Sequence, residues 1–368
     1  MRSKTFILLL IICAVLAGVS WFMLKPGPST SRKPDDAAGR RLLTDLPVND
    51  IRRIEIDGPD GAVSLEKGPE IWVVKEKFGY PADFPKLTDL VLKLRDMKVD
   101  RSFPASADIL DRLSLHAPGE ADTGARGTRV ILKGAEDRLL AEIVVGKPRE
   151  SEAGPGGHFV MPAGEETVYV VDQTLRELDT DAARWIDREI LDVSAEAVAR
   201  VDRTSNDGSP PAYTAARPEK GKPAELLDLP EGRKEMPAKV NRLMDGLASL
   251  RIDDVVAPDT PAEKTGLDPG RCLSYTLYDG TVYTLCLGNT LADAPDLTYL
   301  KASVHFVPPA ADAAETPKDP AEAAAEANRR LSPWIFAIPQ WKADQLITEK
   351  AALLEEPAAD AAEGTSGG

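Results

Sequence analysis

Two stretches of this chain, 153 positions apart, carry one pattern of apolar residues. Residues 86–103 read KLTDLVLKLRDMKVDRSF and residues 239–256 read KVNRLMDGLASLRIDDVV. Laid together without a gap, Leu87 meets Val240, Leu90 meets Leu243, Val91 meets Met244, and Leu94 meets Leu247. Met97 then meets Leu250, Val99 meets Ile252, and Asp100 meets Asp253. The apolar positions follow i, i+3, i+4, i+7, which predicts an amphipathic helix with one buried stripe in each copy. A chain built of one unit used twice points to a scaffold or binding architecture before it points to catalysis.

The elements around the two copies recur in the same order. Ile51, Ile54 and Ile56 open a strand, Gly58-Pro59-Asp60-Gly61 turns it, Val63 and Leu65 continue, and residues 71–74 make a third strand. Asp83 is placed to cap the helix that follows. Strands are expected at 129–132, 139–145, 158–161 and 168–171, then a helical segment over 173–191. In the second half Val198 and Val201 stand where Ile51 and Ile54 stood, and Leu287-Gly288 ends its strand as Val145-Gly146 does. The expected fold class is α+β. Two similar repeats, 48–192 and 195–350, each pack an antiparallel sheet against a long amphipathic helix. Residues 307–330 are rich in Ala, Pro and Glu and read as an insertion, with a loose helix near 321–330. Residues 351–368 read as a disordered tail.

Ahead of the repeats, residues 6–24 (FILLLIICAVLAGVSWFML) carry no charge. A helix of that length spans roughly 28 Å, close to a hydrocarbon core of about 30 Å. Residues 1–24 are therefore expected to be an uncleaved transmembrane anchor, and the Pro- and Gly-containing residues 25–47 a linker. A long following domain translocates largely regardless of its charge. The folded part is therefore expected outside the cytoplasm, behind a single membrane pass. The formal charge is −15, and residues 1–50 hold seven Lys/Arg against four Asp/Glu, so the remainder carries −18. A nucleic-acid partner, which needs a basic footprint, is not expected.

Little in the sequence has the pattern of a catalytic or metal centre. His116, His158 and His305 stand at no metal-ligand spacing, Val144-Val145-Gly146-Lys147 lacks the phosphate-loop spacing, and no nucleophile motif occurs. No catalytic residue, cofactor or metal is expected, and the chain is not read as an enzyme. Asp253 and Asp254 are neighbours on a strand end and point to opposite faces, so they read as solvated. Trp72, Phe78 and Tyr80 form the candidate recognition surface, because the turn Gly79-Tyr80-Pro81 is able to expose Tyr80.

Cys272 and Cys286 flank a hairpin whose turn is Asp279-Gly280. Leu273, Tyr275 and Leu277 alternate on one strand; Tyr283, Leu285 and Leu287 alternate on the other. A two-residue loop puts these sets on opposite faces, whereas an odd loop brings them onto one. With Tyr278–Asp279–Gly280 as the loop, Cys272 falls opposite Cys286. An oxidising compartment then favours a disulfide, the alternative being two independent small apolar residues.

The ordered set of segments resembles a known family. A short apolar anchor is followed by IRRIEIDGPDGAVSLEKGPEIWVV, by GYPAD opening a helix, by RVILKGAEDRLLAEIVVGK, and by TVYVVDQTLREL. This resembles the bacterial domain-of-unknown-function family numbered 4340, over about residues 1–350 and most closely in the first repeat. The resemblance implies an envelope protein anchored in the bacterial inner membrane, single-pass, with the folded part in the periplasm or at the cell exterior, described in that family as an auxiliary component of gliding-motility-type ABC transporters. It implies ABC transporter subunits as partners and supplies no site residues. The expected function is a non-enzymatic, membrane-anchored extracytoplasmic accessory or scaffold protein. The runner-up is a module that binds an envelope glycan or lipid in the groove between the repeats.

Overall fold

The computed structural model describes residues 38–119, 126–150, 156–204, 211–267, 271–308 and 320–355. Strands form where the sequence alternates. In β1 (Arg53–Gly58) Ile54 and Ile56 are buried while Arg53, Glu55 and Asp57 are only partly covered. In β2 (Gly61–Lys67) Val63 and Leu65 are buried on the same rhythm. Successive side chains of a strand point to opposite faces, so one face enters a core and the other meets water.

The strand pairings are antiparallel and they recur. β1 pairs with β2 and with β6 (Thr128–Lys133), and β2 pairs with β3 (Trp72–Val74). β7 (Leu139–Pro148) pairs with β8 (His158–Pro162), β8 with β9 (Thr167–Val171), and β9 with β5 (Val99–Pro104). In the second half β11 (Val198–Arg203) pairs with β12 (Tyr213–Ala216) and β16 (Cys272–Leu277), and β12 with β13 (Glu225–Leu227). β17 (Thr281–Thr290) pairs with β18 (Leu297–Phe306), β18 with β19 (Ile335–Pro339), and β19 with β15 (Asp254–Val256). Pair for pair, the second set repeats the first. Two short additions stand outside the repetition: β4 (Tyr80–Pro81) on β3, and β10 (Glu189–Leu191) on β14 (Leu250–Arg251).

The helices differ from the expectation, and the fold class is corrected accordingly. The described residues are mostly antiparallel sheet with few short helices, not sheets carried on long amphipathic helices. α1 (Phe84–Asp96) has 13 residues. Its counterpart α3 (Pro237–Met244) has 8, followed by a 3-10 turn over Asp245–Leu247. The matched 18-residue segments change period partway. Leu87, Leu90, Val91 and Leu94 are buried at helical spacing, but the next buried pair, Met97 and Val99, is two apart, and so is Leu250 with Ile252. Spacing of two belongs to a strand, and β5 and β14 begin there. Gly246 lies in that 3-10 turn, where only a glycine fits, because a Cβ at that position would run into the Tyr275 hydroxyl.

Other segments also differ. The helix expected over 173–191 is only a 3-10 turn at Ala182–Arg184, leading into β10. The inserted stretch forms a full helix, α5 (Pro320–Leu331), with Ala324 and Leu331 buried. There the Asn328 side-chain oxygen accepts from the Val304 backbone N–H at 2.9 Å. Residues 351–355, counted with the tail, are packed: Leu353 and Leu354 are buried, and Met236 N–H donates to the Leu353 carbonyl at 2.8 Å. The transmembrane helix expected over residues 6–24 lies outside the described residues. Among the described residues no helix is long and apolar enough to cross a membrane.

The chain divides into two compact units. One takes Met1–Leu46, Lys93–Gly127 and Ile143–Leu175; the other takes Pro47–Leu92, Thr128–Glu142 and Arg176–Gly368. In the first unit Leu115, Ala117, Val144 and Val168 are buried, with Phe103 and Phe159 packed edge-on at 6.4 Å. Its helix α2 (Ala107–Leu113) starts at Ser106, whose hydroxyl accepts from the Ile109 N–H. The second unit buries Trp185 completely. The indole N–H donates to the Asp179 carbonyl at 2.8 Å, and the Lys86 ammonium sits 4.3 Å from the ring centroid. Two more helices belong to this unit: α4 (Ala262–Thr265) and α6 (Gln340–Leu346).

Candidate functional site

The structure separates the three aromatic residues expected to form a recognition surface. After β3 the chain makes a 3-10 turn over Lys75–Lys77. Phe78 follows in the left-handed region, at φ 60° and ψ 25°, and Gly79 continues at φ 76°. For a residue with a Cβ that conformation costs roughly 1–2 kcal/mol. The turn is held from several sides. Gly79 N–H donates to the Val74 carbonyl at 3.1 Å, the Glu76 carboxylate accepts from the Ser64 N–H at 2.9 Å, and Lys77 pairs with Asp254 at 2.7 Å. The result is that the Phe78 side chain stands out, 50% exposed. Trp72 is half-buried in β3.

Tyr80, by contrast, is placed inside, at 5% exposure. Its ring meets Trp334 edge-on at 5.0 Å and Phe336 at 6.2 Å, so residues of the two repeats interlock there. Burial pushes its phenol well above the usual tyrosine range, helped by the Asp187 carboxylate. The physical reason is β4: the two-residue strand turns Tyr80 back onto the sheet rather than outward.

Cys272 and Cys286 face each other across β16 and β17 and are bonded. The register also pairs Leu273 with Leu285 and Tyr275 with Tyr283, and leaves Tyr278, Asp279 and Gly280 as the loop. Gly280 takes φ 91°, the left-handed position that a three-residue hairpin loop requires. The Asp279 carboxylate accepts from the Thr281 N–H at 2.8 Å.

The remaining polar candidates are placed individually. His116 lies 2.8 Å from Asp111 through Nε2. His158 is buried, and its Nδ1 accepts from the Leu175 N–H at 3.1 Å, which puts the ring proton on Nε2. His305 is exposed on β18. Asp253 and Asp254, expected to be solvated, each face a cation: Arg188 at 3.5 Å and Lys77 at 2.7 Å. Among the described residues no group of three or more His, Cys, Asp or Glu is placed to hold a metal ion.

Sequence reasoning did not find the groove where α3, α6 and the turn at Lys350–Leu353 meet. It encloses about 440 Å³, with Arg242, Trp341, Asp344, Gln345 and Glu349 on its walls. Trp341 is 63% exposed, although it begins a helix whose buried stripe is Ala343 and Leu346. An indole off the apolar stripe of its own helix is the signal that could have marked the place. Nearby, Glu349 reaches Arg203 at 3.5 Å, and the buried Tyr213 hydroxyl has no hydrogen-bond partner among the described residues. A second cavity of about 360 Å³ is lined by Arg53, Glu66 and Asp137, which form ion pairs with one another: Arg53 meets Asp137 at 2.7 Å and Glu66 at 3.2 Å.

Over residues 72–269 the chain matches the model of the family described as a domain of unknown function, DUF4340. The match spans more than half of the chain, which belongs to that family. No curated protein and no solved structure matches it.

Proposed function

We propose that this member of the family is a non-enzymatic accessory or scaffold protein, working on the outer side of the bacterial inner membrane. We take its partners to be the proteins of an ABC-type transport or motility system. The observation that carries the binding role is the Phe78 turn. A large aromatic side chain is held exposed, on a backbone conformation that costs energy, by bonds that fix the turn from Ser64 and Asp254. Strain of this kind persists only where the surroundings over-determine it, and it clusters at places of function. Aromatic residues, Phe among them, are enriched at protein interfaces.

The Cys272–Cys286 bond supports the compartment, because cytoplasmic thiol buffers keep such pairs reduced. The transport link rests on the ordered segments that resemble the family. Co-purification of the full chain from solubilised membranes tests the reading. Transporter subunits should be recovered with the wild type and recovered several-fold less with Phe78→Ala, at unchanged melting temperature. Recovery of no transporter subunit, or equal recovery with both proteins, contradicts it.

A further inference from the structure

We infer that the groove between α3 and α6 is a binding site for a neutral oligosaccharide, with Trp341 as the surface on which a sugar ring stacks. The volume of about 440 Å³ lies in the range of small-ligand sites. Its walls offer two kinds of chemistry together. Trp341 presents an exposed indole face, and Leu243 and Ile347 add apolar surface. Arg242, Asp344 and Gln345 have no side-chain hydrogen bond or ion pair among the described residues, so their planar donors and acceptors remain for a ligand.

The charges decide between ligand classes. Lys239 and Arg242 stand against Asp344, while Glu349 is already met by Arg203 at 3.5 Å, so the site carries no more than one surplus cation. A nucleic acid or an anionic lipid head would need a surplus of cations, and a basic peptide a surplus of carboxylates. What fits is an uncharged ligand with an apolar face and many groups that both donate and accept hydrogen bonds. A sugar ring has that face in its C–H bonds and those groups in its hydroxyls. The reading does not depend on the Phe78 turn, with which the groove shares no residue.

The test is a titration of the purified full chain with neutral chito-, cello- and malto-oligosaccharides, followed by calorimetry and indole fluorescence. At least one series should bind saturably and change the emission. Trp341→Ala should weaken that binding about tenfold or more, Trp341→Phe much less, and Arg242→Ala and Asp344→Asn severalfold each. Trp341 is exposed, so its variants should melt with the wild type, and the melting curve verifies this. No saturable binding of any series overturns the inference. So does binding that Trp341→Ala leaves unchanged, or a groove that takes only charged probes such as heparin fragments or a polylysine peptide. None of these results bears on the co-purification outcome.

Discussion

Lys77 and Asp254, 177 positions apart, are joined by an ion pair in which the ammonium reaches both carboxylate oxygens, at 2.7 and 2.8 Å. The side chains are 17% and 30% exposed, so the pair is partly shielded from water. It ties the turn that carries Phe78 to β15 of the second repeat. We expect Lys77→Met and Asp254→Asn each to cost about 1 kcal/mol. The double variant should cost less than their sum by about 0.5–1 kcal/mol. A urea-denaturation double-mutant cycle measures this, and strict additivity would show that the pair carries no stability.

The bond between Cys272 and Cys286 closes a short loop, with a sequence separation of 14. Constraining the unfolded chain over a loop of that size stabilises by about 3 kcal/mol in the chain-entropy account. Cys272→Ser with Cys286→Ser should lower the unfolding free energy by about 2–3 kcal/mol. Non-reducing peptide mapping of protein taken from the envelope should find the two peptides linked. Free thiols at both positions would remove the support for an extracytoplasmic site.

Gly246 gives a sharper packing test. A methyl group there would meet the Tyr275 hydroxyl and ring, and Tyr275 is fully buried. Gly246→Ala usually favours helix, yet here it should destabilise by about 1–3 kcal/mol through overpacking. Pairing it with Tyr275→Phe, which removes the clashing oxygen, should recover part of the loss. A stabilised Gly246→Ala protein would mean the turn is free to extend the helix.

Tyr213 makes the protein sensitive to alkali. Burial pushes its phenol from 10.0 up to about 12, against the Arg203 guanidinium, which lowers it. In the unfolded chain the proton leaves near 10, while the folded protein still holds it. The stabilisation is therefore complete below pH 10 and is lost as pH rises from 10 towards 12, on the order of 2–3 kcal/mol. The hydroxyl is also unpartnered, so Tyr213→Phe should be neutral or slightly stabilising at pH 7. Its advantage over the wild type should widen above pH 10, and parallel stability curves would contradict the assignment.

The sheet was more legible in this sequence than the helices. Period-two alternation is local in residues 53–65 and 272–287, and it constrains which side chains share a face. The same alternation sets the register that brings Cys272 opposite Cys286. The helix stripe at Leu87, Leu90, Val91 and Leu94 was equally readable. Its end was not, because Met97 and Leu250 satisfy helical spacing from one side and strand spacing from the other. The aromatic turn was only half legible. That Tyr80 turns in rests on its pairing in β4 and on the rings of Trp334 and Phe336, more than 250 positions away, and those distant partners leave no trace in the local pattern. The groove at Trp341 assembles from α3 and α6, roughly a hundred residues apart, and for the same reason left only the misplaced indole as a trace.

Photo-crosslinking in living cells tests the central claim most directly. A benzophenone amino acid replaces Phe78 in one protein and Leu139, also exposed, in another. A scaffold that docks through the Phe78 turn should give a discrete adduct with a transporter subunit from position 78 and none from position 139. No adduct at position 78, or the same adducts from both positions, would contradict the account.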